Sequence, residues 1–385
     1  MPDNGDGFLS FSGLGQLDQL SSRHKPPVHA LNPLIRPAMR NLHNVRQALR
    51  LSRHWIAATL CCASFWVAAD ARAQPAPVVW QMATEYPATS MPGEGLTTFA
   101  QEVAARTQGA ITAQPTFDAS AGIKSAQMPA AIRDGKLQAG DAFGGALGEV
   151  DPIFLLSSLP FVATSVDRAH RLADLARADY ARAFAQQGQQ LLYITPWPPT
   201  GLWSRQPVGS LDDLRALSVR AYDETSTQVM RAAGARAQNL SFADAMPRLK
   251  DGSVNAVLSS GDGGAGRKLW DFLPNFTAIG YAMPLSFTTV NNAAWQALSP
   301  AQRDAVTAAA KATEDRQWAR LDTRLAENTA RMRANGVVIQ DQPAPAVQQA
   351  LRHAGLDAVA AWQTRVGERG AVLLKNYLAA EAGAR

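Results

Sequence analysis

Residues 217–235, LSVRAYDETSTQVMRAAGA, hold a strand and a helix in immediate succession. The run LSVRAY predicts a short, half-buried strand. After a polar turn, STQVMRAAGA predicts a helix that Gly234 stops. The odd residue is Arg220, a charged group at the end of an apolar run, with Tyr222 two positions on. A guanidinium there is a permanent, fork-shaped cation. The carboxyl end of a strand in an open α/β sheet borders the crevice where ligands bind.

The same alternation extends in both directions. PVVWQMAT (77–84) predicts a strand, EYPATSMPGEG (85–95) a loop, and LTTFAQEVAARTQG (96–109) a helix ended by Gly109. AITAQPTF and LQAGDAF predict two more strands, with a helix between them ending near Gly135. Strand–helix alternation of this kind implies a mainly parallel sheet with helices on its faces. PWPPTG (196–201) has three prolines in four residues and reads as a stiff crossover between domains. SFADAMPRLKDGS predicts a helix capped by Ser241, VNAVLSSG a strand running into a glycine loop, and PLSFTTVN a further strand. A long helix is predicted from about Pro300 to Asn335, with Trp318, Leu321 and Leu325 on one stripe. At that length, roughly 50 Å, it exceeds one small domain and braces two.

The N-terminal part reads differently. WIAATLCCASFWVAA (55–69) follows Arg46, Arg50 and Arg53 and precedes ADARAQ. A basic region, an apolar core and an A-x-A site spell a secretory signal peptide, with cleavage expected after Ala73. Residues 39–73 are that leader. Residues 1–38 are expected to be a misannotated or disordered extension, with translation starting at Met39.

Removing the leader changes the inventory. The formal charge is +5 with 37 Lys+Arg and 32 Asp+Glu, but residues 1–73 hold 8 and 4 of these, leaving 29 and 28. The sequence pI of about 9.4 therefore belongs largely to the leader, and a nucleic-acid partner loses its support. Both cysteines, Cys61 and Cys62, go with it, as do four of six histidines. With His170 and His353 alone, a His/Cys metal site, a thiol nucleophile and HExxH chemistry are all disfavoured. Neither metal nor cofactor is expected.

In this order the pieces resemble the extracytoplasmic solute-binding subunits of tripartite ATP-independent periplasmic (TRAP) transporters. The resemblance rests on FAQEVAARTQG, AAIRDGKLQAGDA, DPIFLLSSLPFV, PVGSLDDLRALSVRA, and RAAGA followed by SFADAMPRLKDGSVNAV. It covers about residues 77 to 335. It implies two α/β lobes, a hinge, a long helix spanning both, and a small organic anion in the cleft. The expected lobes are 74–197 plus 286–325, and 198–285 plus 326–385. It also implies that Arg220 pairs with a ligand carboxylate, a contact that the planar guanidinium suits. Thr200 stands near where many members carry a second arginine, which argues against a simple dicarboxylate or a sialic-acid-type ligand.

Other candidates for the cleft are Glu85 and Tyr86 after the first strand, Asp141 and Phe143 ending the third, Trp197 at the hinge, and Tyr222. The glycine loop SSGDGGAGRKLW (259–270) adds Ser259, Ser260, Gly261 and Asp262, whose hydroxyls and backbone N–H groups suit a ligand. Asp262 either binds a ligand's amine or hydroxyl or caps the next helix, and capping is favoured. A nucleotide P-loop is excluded because Arg267 follows Gly266 where lysine is required. The expected function is a periplasmic receptor that performs no chemistry and hands an organic acid to TRAP membrane subunits. The rivals are the same fold serving a sensor kinase, an ABC-type binding protein, and an exported hydrolase using Glu85 with Asp141 or Asp262.

Overall fold

Trp80, Met82 and Ala83 are the buried residues of VVWQMA, the first strand. The computed structural model describes residues 76–383. The leader and the 1–38 extension lie outside those residues. β1 (Val78–Ala83), α1 (Met91–Arg106), β2 (Ile111–Thr116), α2 (Met128–Arg133), β3 (Ala139–Phe143), α3 (Val166–Gln186) and β4 (Gln189–Pro196) form the first lobe. There follow β5 (Thr200–Ser204), α4 (Leu211–Arg215), β6 (Ser218–Ala221), α5 (Glu224–Ala232), β7 (Arg236–Asn239), α6 (Phe242–Lys250), β8 (Ala256–Ser260), α7 (Gly261–Gly266) and β9 (Asn275–Thr277). The chain then returns through β10 (Leu285–Asn291) and α8 (Asn292–Gln296) to α9 (Pro300–Ala334), β11 (Val338–Gln340) and the helical segment α10 (Pro345–Gly383).

Two sheets result, ordered β2-β1-β3-β10-β4 and β11-β9-β5-β8-β6-β7. The chain crosses between them at Trp197–Pro199, inside the proline-rich hinge, and crosses back between β9 and β10. The expected parallel pairing holds for β1 with β2 and β3, and for β6 with β7 and β8. The two strands beside the crossings run the other way. β10 is antiparallel to β3 and β4, and β5 is antiparallel to β8 and β9.

α9 is a single helix opened by a reciprocal Ser299–Gln302 cap. Its Val306 and Ala309 pack with Trp80 and Phe99, Trp318 and Leu321 with the first lobe's main core, and Met332 with the second lobe's core. One rigid rod therefore touches both lobes. α10 does the same. Val347, Leu351 and Ala358 pack with the second lobe, and Trp362, Leu374 and Tyr377 with the first. The helix breaks at Gly367, whose φ of 77° only glycine adopts without strain.

Two glycine-rich stretches predicted as loops are helical. α1 starts at Met91, capped by Ser90, with Pro92 in its first turn. α7 is GDGGAG, capped by Ser260. Glycine is used here for proximity rather than for turning. A Cβ on Gly93 would lie 2.2 Å from the Pro87 carbonyl oxygen, and one on Gly264 would lie 2.3 Å from the Trp203 ring. Trp203 is fully buried and has no room to yield. Gly264→Ala is therefore expected to destabilise the protein by about 1–3 kcal/mol, the usual cost of overpacking. Chemical denaturation measures it, and an unchanged midpoint would contradict the contact.

Candidate functional site

The strand ends converge on the hinge. Tyr86 follows β1, Phe143 ends β3, Trp197 follows β4, Thr200 opens β5, and Arg220 and Tyr222 close β6. The aromatic residues at these strand ends are buried and pack on one another. Tyr86 lies 4.7 Å from Trp197 between ring centroids, and Phe143 lies 5.4 Å from Tyr222, both edge to face. Trp197 fixes its ring by donating Nε1–H to Ser286 Oγ at 3.0 Å.

Arg220 is the one cation in this aromatic wall, and it is 3% exposed. Its Nε donates to the Leu240 carbonyl at 2.7 Å and its Nη1 to the Leu258 carbonyl at 3.3 Å. Its guanidinium lies over the Phe242 ring, 4.3 Å from the centroid. Its partners among the described residues are thus neutral. Burial pushes its pKa below the usual arginine value, and the nearby Tyr86 and Glu85 oppose the shift. Arginine starts so high that the group remains a cation.

Eight of the expected residues meet at one small cavity of about 30 Å³. Tyr86, Phe143, Trp197, Thr200, Arg220, Tyr222, Ser259 and Ser260 line it, with Phe242 and Pro284. Tyr86, Phe143, Arg220 and Tyr222 also form the back of a larger, polar cleft of about 330 Å³, which includes Glu85. That volume lies within the range of small-molecule sites. Two contacts tie the lobes together around it. Lys124 Nζ meets the Asp244 carboxylate at 2.7 and 2.9 Å, and Arg267 Nη2 donates to the Glu85 carbonyl oxygen at 2.6 Å.

Three expected residues stand elsewhere. Asp141 is fully buried, lines neither cavity, and accepts a hydrogen bond from Thr84 Oγ1 at 3.0 Å. Phe143 at the end of β3 reaches the cleft, whereas Asp141 is the middle residue of that strand and stays buried within the lobe. Burial, helped by Glu85, pushes the Asp141 carboxyl up to about 8, against the Thr84 bond. Asp262 neither faces the cavity nor caps α7, since Ser260 does the capping. It accepts from the Met91 backbone N–H at 2.9 Å and from Asn328 Nδ2 at 3.3 Å, with Arg324 Nε at 3.4 Å. It joins α7, α1 and α9. Gly261 faces Met332 and Asn328 of α9. Of the three carboxylates considered for a hydrolase, only Glu85 lines the cleft.

Phe242, Lys124 and Ser125 were not singled out from the sequence. Phe242 directly follows the Ser241 cap, where an aromatic residue is indistinguishable from core. Ser125 is one serine among many until its backbone N–H is seen donating to Glu85 Oε2, at 2.9 Å.

Two α/β lobes joined by crossing strands, braced by a common helix and lined at the hinge by aromatics around one buried cation, define a solute-binding receptor. The chain belongs to the bacterial extracellular solute-binding protein family 7, whose profile matches residues 82–363. Among solved structures it is similar to DctP7 of Bordetella pertussis, an extracytoplasmic solute receptor binding pyroglutamic acid. The two share 28% identity at a TM-score of 0.75, over 78% of this chain and 99% of that one. DctP6 of the same organism, which also binds pyroglutamic acid, shares 25% identity at a TM-score of 0.74, over 78% and 99%. A marine metagenome TRAP solute-binding protein specific for pyroglutamate shares 25% identity at a TM-score of 0.74, over 78% and 98%. A solute-binding protein of Chromohalobacter salexigens is 24% identical over 241 residues, 60% of this chain and 70% of that protein. Among the described residues no helix is long and apolar enough to cross a membrane.

Proposed function

We propose that this receptor captures a small monocarboxylic acid of the pyroglutamate class outside the cytoplasm. It passes the acid to the membrane subunits of a TRAP transporter and performs no chemistry on it. The observation that carries the reading is Arg220, a buried cation held by two carbonyls and a ring in the wall of the cleft. Buried charges are ordinarily paired. A ligand carboxylate is the natural partner, binding two-pronged in a medium where the attraction is little screened. The edge-to-face aromatics fit a small ring better than a long chain. Thr200, at a position where a second cation would serve a dicarboxylate, is neutral. Three receptors similar to this one bind pyroglutamate.

Closure follows as a population shift. The acid binds between parted lobes, and the closed form adds the Lys124–Asp244 and Arg267–Glu85 contacts. Export through the leader, with cleavage after Ala73, puts the receptor where its ligand is. Deleting residues 1–38 is expected to leave export intact, and retention in the cytoplasm would contradict the start at Met39.

The test is calorimetry of the exported protein with pyroglutamate, preceded by mass spectrometry of any acid that co-purifies. One-to-one binding of a monocarboxylate is expected. Recovery of a sugar, an amine or a dicarboxylate in its place would overturn the class.

A further inference from the structure

The corner of the cleft formed by Glu85 and Ser125 contains two polar atoms with no hydrogen-bond partner. Glu85 is 3% exposed and Ser125 1%. The Ser125 backbone N–H occupies Glu85 Oε2, which leaves Glu85 Oε1 and Ser125 Oγ, both buried and both unsatisfied. Buried polar atoms are nearly always satisfied, and a carboxylate oxygen left bare is costly. The corner is also rigid. The Glu85 carbonyl oxygen is held by Arg267, and its side chain is held by the Ser125 N–H. Both residues line the same cleft as Arg220.

The chemistry of the pair is directional. A carboxylate oxygen accepts, and the serine hydroxyl can turn to donate. An acceptor beside a donor matches a group presenting N–H beside C=O, the edge of a cis amide. A second carboxylate does not match, because Glu85 repels it and the cations bordering the cleft are engaged, Lys124 with Asp244 and Arg365 with Glu149.

We propose that Glu85 and Ser125 form the specificity subsite of this receptor and read the amide edge of a lactam acid. Glu85 Oε1 accepts the ring N–H, Ser125 Oγ–H donates to the ring carbonyl, and Arg220 takes the carboxylate. This deepens the receptor reading above and rests on it.

The test compares three ring acids by calorimetry on the exported protein: pyroglutamate, cyclopentanecarboxylate, which lacks both amide groups, and proline, which has the amine without the carbonyl. The wild-type protein is expected to prefer pyroglutamate to cyclopentanecarboxylate by at least about a hundredfold, as sites built to hydrogen-bond reject analogues lacking the bond. Ser125→Ala keeps the backbone N–H that Glu85 needs. It is expected to lower pyroglutamate affinity about tenfold and leave cyclopentanecarboxylate unchanged. Equal wild-type affinity for the two acids, or an equal loss for both in Ser125→Ala, overturns the subsite while leaving the carboxylate receptor standing. Proline binding more tightly than pyroglutamate also overturns it, since the corner would then read an amine. If the folded protein binds none of the three, both readings fail together.

Discussion

Arg220→Ala is expected to lower affinity for the carboxylate ligand by about 2–5 kcal/mol, roughly thirtyfold to several thousandfold, in a protein that still folds. The size follows from the environment. The guanidinium is buried and touches no carboxylate of its own chain, so truncation leaves the ligand's charge desolvated and unpaired. Folding should survive because Val219 and Ala221, on either side in β6, hold the strand in its core through their own burial. The carbonyls of Leu240 and Leu258 lose their donors, a penalty water can offset once the side chain is gone. Arg220→Lys separates charge from geometry. It keeps a cation but gives up the planar fork and the stacking on Phe242, so most of the affinity should still be lost. Calorimetry and a melting curve on the same sample decide the matter. Unchanged affinity for Arg220→Ala would remove this residue from the site, and loss of folding would make it a structural cation.

The lobes were legible because each strand–helix unit repeats the same local signals: a β-rich run, a capped helix and a glycine stop. Arg220 stood out for breaking that pattern. What escaped depended on contacts between distant parts of the chain. The glycines of α7 look like a loop until Trp203 is seen to occupy the space of a side chain at Gly264. Asp262 looked like a ligand or capping group beside two serines, and nothing nearby in sequence announces Arg324 and Asn328 of α9. Asp141, read from the sequence as a strand end like Arg220, is the middle residue of β3 and fully buried, two positions short of the Phe143 that reaches the cleft. A predicted strand end alone cannot distinguish a residue that opens into a crevice from one that stays buried.

Its full burial makes Asp141 the site of the second large expected effect. Its carboxyl is pushed from the usual 3.8 up to about 8, chiefly by burial. Around neutral pH the folded protein therefore holds a proton that the unfolded chain releases. The unfolded state binds fewer protons between the two pKa values, so stability contributed by this group is fully present below about pH 4. It is lost as pH rises toward 8, at about 1.4 kcal/mol per pH unit. Asp141→Asn keeps the shape and an acceptor for Thr84 but cannot ionise. Near pH 4 the two proteins should be similar in stability. Near pH 9 the variant should be ahead by several kcal/mol, on the order of 5 if the whole shift is realised. Asp223 and Asp262 are also raised by burial, but both proteins share them, so they cancel in the comparison. Urea unfolding across that range measures the gap, and parallel profiles would mean that Asp141 does not titrate there. A neutral Asp141 behind Tyr86 also adds no negative charge to the wall. Ligand affinity at neutral pH should then be nearly the same in Asp141→Asn as in the wild-type protein, whereas an ionised Asp141 would have opposed the acid and its removal would tighten binding.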